Sequence, residues 1–363
     1  MNTGNPNVYY RDEHITLLLG DAAEQLATLP NGSVDAVVTS PPYWGLRDYD
    51  ADGQYGLEAT PNQYVNNLRA VFDEIHRVLA DTGTVWLNLA DSYASGETGR
   101  VDTAIRYPSL ATRRPDRGGR RHRASSGLPR KNLVGLPWRV ALAVQADGWI
   151  LRNALVWHKP NAMPESVRDR LSCRYEFVFL LVKQPRYYFD LDAIREPLAH
   201  PSAAGMAFGG RKGSGEACLG ASRRRRGSRY RPKYTTTRPF PTRPHGAAVR
   251  PTGHHHDTAH PHGKNPGDVW SIPTRPYRQA HFATFPVDLP LRCIRAGCPP
   301  GGLVADPFSG AATTGLAALQ LGRDYLGIEL NHAFHDLAKA RLFQQMQHSA
   351  RRGDGESAGG EVR

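Results

Sequence analysis

Two short segments carry residue types able to do chemistry. The first is Thr39-Ser40-Pro41-Pro42-Tyr43-Trp44. Two prolines fix the backbone and remove two amide donors, leaving the surrounding carbonyls as acceptors. A rigid acceptor set beside stacking aromatics suits an exocyclic NH2 on a flat base. Ser40 and the carbonyls would hold such an amine with its lone pair toward an electrophile, and Tyr43 would stack on the base. In isolation the segment is equally compatible with a Pro-rich turn holding a core aromatic.

The second segment is Asp306-Pro307-Phe308-Ser309-Gly310-Ala311-Ala312-Thr313-Thr314, between a strand candidate and a helix candidate. Small residues let the backbone turn tightly and approach a ligand. Amides at the helix start are expected to face a carboxylate or phosphate. Glu329 ends the next strand candidate, where an acidic side chain accepts hydrogen bonds from ribose hydroxyls. There is no GxGxxG and no GK[ST], so a nucleoside without pyrophosphate fits best.

These segments need elements to hold them. Residues 14–19, 34–38 and 84–89 read as strands, and 63–79 as a helix with apolar residues at helical period. A helix near 136–146 and apolar runs at 150–157 and 175–182 follow. Beyond 268, helices are expected near 287–296, 314–321 and 333–346, with strands at 303–305 and 325–328. Alternating strands and helices indicate parallel α/β architecture.

Two stretches interrupt this pattern. Residues 99–131 are rich in Arg, Gly, Ser and Pro and read as a mobile basic loop, and 199–265 form a long low-complexity insert. The division expected is 1–198, the insert 199–265, 266–348, and a disordered tail 349–363.

The 363 residues include 40% hydrophobic types, enough for one sizeable core, and the formal charge is +12. That charge sits in clusters, Arg113 to Lys131 and Arg223 to Lys233, and favours a polyanionic partner. No apolar run is long enough for a membrane span, and residues 1–10 lack the apolar core of a signal peptide. Four cysteines without CxxC spacing suggest no disulfide framework, and a cytoplasmic location is expected. His254, His255, His256, His260 and His262 lack the spacing of structural zinc sites, so no metal is expected.

Taken together, the motifs resemble those of the beta group of DNA amino-methyltransferases, in which the catalytic half precedes the cofactor half. TSPPY resembles the catalytic motif, DPFSGAATT and GIEL at 327–330 the cofactor motifs, and HFATFP at 281–286 the segment cradling the cofactor's methionine end. The matches extend over roughly 14–98, 132–196 and 264–346, in permuted order. Gly310-Ala311-Ala312-Thr313-Thr314 departs from the usual GSGTT by replacing the second glycine with alanine. That methyl group would tighten the cofactor fit, or matter little if the backbone stays in an ordinary region.

The resemblance implies a Rossmann-like α/β fold with a largely parallel sheet, and S-adenosylmethionine as cofactor. Ser40, Pro41, Pro42 and Tyr43 would be catalytic. Asp21, Asp306, Pro307, Phe308, Gly310, Thr313, Glu329 and Asn331, with Phe282, Thr284 and Phe285, would surround the cofactor. Trp44, Lys159, Arg223, Arg224, Arg225 and Arg226 would touch DNA, the insert being the target-recognition region. Ser before Pro-Pro points to N4 of cytosine in double-stranded DNA, as in restriction-modification with a separate cognate endonuclease. The alternatives are adenine N6 methylation, RNA amino-methylation, or an inactive nucleic-acid-binding protein. No cysteine sits in the Pro-Cys context that ring-carbon methylation requires.

Overall fold

The computed structural model describes residues 7–49, 51–94, 125–197, 262–275 and 284–356. Among the described residues nine strands form one sheet: β1 (Val8–Arg11), β2 (Ile15–Leu19), β3 (Val34–Thr39), β4 (Leu79–Leu89), β5 (Ile150–His158), β6 (Tyr175–Val182), β7 (Val269–Ser271), β8 (Leu303–Asp306) and β9 (Asp324–Glu329). Their order across the sheet is β1-β2-β9-β8-β3-β4-β6-β5-β7. β2, β9, β8, β3 and β4 are mutually parallel, and only β1 and β6 run against the rest.

Successive strand residues feed opposite faces, as the two-residue period requires. Leu18, Val37, Val85, Leu87 and Leu181 join one core; Leu17, Ala36, Val38, Trp86 and Leu180 join the other. Both faces are apolar because helices cover both. The first core takes α1 (Ala22–Ala27), α2 (Pro61–Val78) and α3 (Leu136–Ala146). The second takes α4 (Asp288–Gly297), α5 (Thr313–Gln320) and α6 (His332–Glu356).

Local sequence explains where these helices start. Thr60 and Gln63 form a reciprocal capping box, Pro61 opens α2, and Tyr64, Val65, Leu68, Val71, Phe72, Ile75 and Val78 make its buried stripe. Asp21 caps α1 by accepting from the Ala23 and Glu24 amides.

The connections create the crevice. The β3–α2–β4 crossover lies over one face and β8–α5–β9 over the other, so the two diverge between the carboxyl ends of β3 and β8. Parallel α/β sheets bind ligands where such connections part.

Three expectations are corrected. β1 forms within a segment that polarity alone left unassigned, by antiparallel pairing with β2. The last helix runs to Glu356, beyond the expected end near residue 346, because polar composition by itself does not stop backbone hydrogen bonding. Residues 125–131, expected to be part of a mobile loop, are held by Ser125 N to Ala59 O at 2.8 Å and Lys131 N to Ala94 O at 2.9 Å. Residues 95–124 and 198–261 lie outside the described residues, and with them Arg113 to Arg123, Arg223 to Arg226, His254 to His256 and His260. The described residues up to Arg195 and from Asn265 onward belong to one compact unit, and those from Glu196 to Lys264 group separately.

Candidate active site

The ends of β3 and β8 are fastened together by side chains. Thr39 Oγ1 donates to Asp306 Oδ1 at 2.7 Å, and Thr314 Oγ1 donates to Asp306 Oδ2 at 2.8 Å. The Phe308 amide adds a third donor at 3.1 Å. Burial pushes the Asp306 carboxyl up to about 6, against the pull of these three donors. Asp306 therefore works chiefly as the peg that fixes both loops.

Beside this peg opens a cavity. Gly20, Asp21, Ser40, Pro42, Thr284, Phe285, Asp306, Pro307, Phe308, Gly310, Thr313, Glu329 and Asn331 all contribute to its wall. The structure thus gathers residues from positions 20 to 331 at one place, with Ser40 on the same wall as the β8 turn. Phe282 lies outside the described residues.

Glu329 organises the turn. Its carboxylate accepts from the Gly310 amide at 2.8 Å and from the Asn331 amide at 2.9 Å. Burial raises its pKa, while those amides oppose the shift. The Gly310 amide is thereby occupied, the Ala312 amide donates to Ser309 O, and the Ser309 amide donates to Ile328 O. Three amides of the turn, those of Ser309, Gly310 and Ala312, are therefore occupied within the chain. Gly310 has φ +50°, and a Cβ there would meet open space. Ala312 is left-handed at φ 53°, so the alanine replacing glycine occupies a backbone region that L-residues avoid.

The wall's chemistry selects the ligand. It carries three carboxylates, Asp21, Asp306 and Glu329, and neither lysine nor arginine among the described residues. A phosphate would find no countercharge; a cationic ligand would. Two edge-on aromatic pairs, Tyr55 with Phe308 at 5.2 Å and Tyr49 with Phe334 at 6.2 Å, supply apolar walls for a flat base. Among the described residues no group of three His, Cys, Asp or Glu is arranged to hold a metal.

The TSPPY loop continues past β3. The Pro42 carbonyl accepts from the Tyr64 hydroxyl at 2.9 Å and the Tyr43 carbonyl from the Leu46 amide at 3.2 Å. Among the described residues, no donor takes the Pro41 carbonyl. Ser40 Oγ donates to the Tyr43 hydroxyl at 3.2 Å. The Tyr43 hydroxyl faces Glu176 Oε2 at 2.8 Å and Asn88 Oδ1 at 3.1 Å. Burial, then the Glu176 charge, pushes the Tyr43 phenol well above its usual range, which keeps it protonated.

Two residues expected to touch DNA have partners within the chain. Trp44 is a core residue, 6% exposed, whose indole donates to Glu58 O at 2.8 Å. Its apolar surface is better satisfied inside than on a nucleic acid. Lys159 is held as an ion pair on Glu176, with its ammonium 4.4 Å from the centre of the Trp157 ring. Trp157 is itself buried and donates to Ile272 O. The described site also contains residues the sequence did not single out: Glu176, Asn88, Tyr49, Tyr55 and Phe334. Glu176 and Asn88 did leave a trace, each a lone polar residue in an otherwise apolar strand run.

A parallel α/β sheet with an acid-lined, aromatic-walled cavity at its switch point defines a nucleoside-type cofactor domain. The chain belongs to the DNA methylase family of N6 and N4 methyltransferases, whose family model matches residues 34–340. It is 40% identical over 328 residues to the Type II methyltransferase M.Cfr9I of Citrobacter freundii, covering 90% of this chain and 87% of that protein. It is 37% identical over 333 residues to M.SmaI of Serratia marcescens, covering 91% of each. Its fold is similar to that of the PvuII cytosine-N4-specific DNA methyltransferase, with TM-score 0.58 and 17% identity over 93% of this chain and 89% of that one.

Proposed function

We propose that this DNA methyltransferase transfers a methyl group from S-adenosylmethionine to the exocyclic N4 amine of a cytosine flipped out of double-stranded DNA. The observation that carries the reading is that Ser40 shares a wall with Glu329, Phe308 and Gly310. An amine held at Ser40 would therefore face a cofactor in the acid-lined cavity.

The cavity fits this cofactor. Glu329 would take the ribose hydroxyls, Phe308 and Phe334 would flank the adenine, and Asp21 would sit toward the cationic methionine end. S-adenosylmethionine supplies an electrophilic methyl group, its carbon–sulfur bond breaking as the nitrogen–carbon bond forms.

The protein's own part is to orient a weak nucleophile. Ser40 Oγ and the Pro41 carbonyl accept from the two N–H bonds, so the lone pair turns toward the cavity. Pro41 and Pro42 hold these acceptors rigid. The surplus proton of the methylated amine leaves to water along the Ser40 contact. Ser in place of Asp before Pro-Pro favours cytosine, and the cytosine-N4-specific PvuII enzyme shares the fold. Arg223, Arg224, Arg225 and Arg226 would bind DNA phosphates, since their charge is sequence-independent glue for a polyanion. A cognate restriction endonuclease would act as a separate protein.

The test is to supply labelled S-adenosylmethionine with plasmid DNA or with RNA, and to identify the methylated nucleoside by mass spectrometry. N4-methylcytosine in the DNA is expected. N6-methyladenine would overturn the base assignment, and label confined to RNA would overturn the substrate.

A further inference from the structure

A chain of side chains leads away from Ser40 to a half-buried ion pair that the methyl-transfer reaction does not touch. Four neighbouring strands, β3, β4, β6 and β5, contribute to it. β6 runs against β3 and β4, so its first residues lie at the same sheet edge as their last ones. The register pairs Asn88 of β4 with Val178 and Trp157 of β5 with Glu176. Glu176 therefore reaches the TSPPY loop, and Lys159, just past β5, reaches Glu176.

The hydrogen bonds have one consistent direction. Ser40 Oγ donates to the Tyr43 oxygen at 3.2 Å, and Tyr43 donates to Glu176 Oε2 at 2.8 Å, the nearer and charged acceptor. Asn88 Nδ2 donates to the same Glu176 oxygen at 3.0 Å and to Phe177 O at 3.1 Å. Lys159 takes the other carboxylate oxygen. The side chains of Glu176 and Lys159 are 12% and 20% exposed, so the pair is little screened by water.

We infer that Glu176 is a positioning residue that sets the polarity of Ser40 through Tyr43. With a carboxylate at its far end, the relay commits the Ser40 proton to Tyr43. The Ser40 lone pairs are left for the substrate amine. Without it, a hydroxyl is free to point its own proton at the amine, and donor would face donor. Tyr43 thereby has a task separate from stacking, one that needs its hydroxyl. In Glu176→Gln, Lys159 would retain the amide oxygen and turn the NH2 toward Tyr43. With its charged acceptor gone, the phenol would be divided between Asn88 Oδ1 at 3.1 Å and Ser40, and no charge would fix the direction of the relay. The inference rests on the proposal that Ser40 accepts from the target amine.

The test uses the full-length protein, plasmid DNA and S-adenosylmethionine, with kcat and both KM values measured for the wild type, Glu176→Gln, Tyr43→Phe and the double variant. Each single variant is expected to lose on the order of tenfold or more in kcat, with either KM changed less than about threefold. The double variant should be no slower than the slower single one, because both break the same relay. Tyr43→Phe keeps the ring and removes only the hydroxyl. Wild-type kcat in that variant would overturn the inference while leaving the function intact, and so would multiplied losses in the double variant. A wild type that methylates no DNA amine would remove the function and the inference together.

Discussion

Thr39 Oγ1 lies 2.7 Å from Asp306 Oδ1, a bond between residues 267 positions apart in the chain. It joins the loop that would hold the amine to the turn that would hold the methyl donor. Thr39 is 1% exposed and Asp306 2%, so water cannot replace either partner. Thr39→Val keeps the shape and removes one donor from a buried carboxylate. A loss of about 1–3 kcal/mol is expected in urea unfolding, together with a fall in kcat as the two loops lose register. Unchanged stability would show that the bond is dispensable.

The raised pKa of Asp306 makes a signed prediction. Its folded value of about 6 lies above the ordinary value of 3.8, so the folded state binds the extra proton between those values. Its contribution to stability is present at low pH and is lost as pH rises toward about 6. Asp306→Asn removes this penalty and keeps an acceptor for Thr39. The variant should gain on the order of 1–3 kcal/mol over the wild type at pH 8 and little at pH 4. Equal differences at both pH values in denaturant melts would contradict burial as the cause.

Glu329 accepts from two backbone amides, at 2.8 and 2.9 Å. Glu329→Gln would set an NH2 against one of them and remove a charge from the cavity. Cofactor affinity, read by calorimetry, should fall about 10- to 100-fold, with DNA binding unchanged. Burial raises the pKa of Glu329, so wild-type affinity should weaken as pH falls, and the variant should lack that component. An affinity equal to wild type would remove Glu329 from the cofactor site.

Ala312 sits at φ 53° at the start of α5, where a Cβ costs about 1–2 kcal/mol. Ala312→Gly relieves that strain and gives up one buried methyl, worth about 0.8 kcal/mol. A net gain of about 1 kcal/mol or less is expected in thermal unfolding. A marked drop in Tm would mean that the methyl packs better than its backbone is strained.

How far the sequence reached depended on how local each signal was. Val34–Thr39 and Asp324–Glu329 announced themselves as apolar runs, and Ser40 and Glu329 followed as the residues closing them. The Ala-for-Gly exchange was visible, but its left-handed backbone was not, because composition carries no φ. Long-range pairing was invisible for a related reason. Glu176 meets Tyr43 only because β6 enters the sheet reversed beside β4. β1 exists only through its partner β2. Trp44 and Lys159 looked available for DNA because an aromatic and a cation near an active loop suit that role. Their internal partners, Glu58 and Glu176, lie where no spacing rule points.

The most direct measurement is single-turnover methylation of plasmid DNA by the wild type and by Ser40→Ala, with the product nucleosides resolved by mass spectrometry. N4-methylcytosine should form with the wild type, and at least about 100-fold more slowly with Ser40→Ala at unchanged cofactor affinity. A Ser40→Ala rate equal to wild type, or a methyl group found on adenine N6, would contradict the assignment of Ser40 as the acceptor for a cytosine amine.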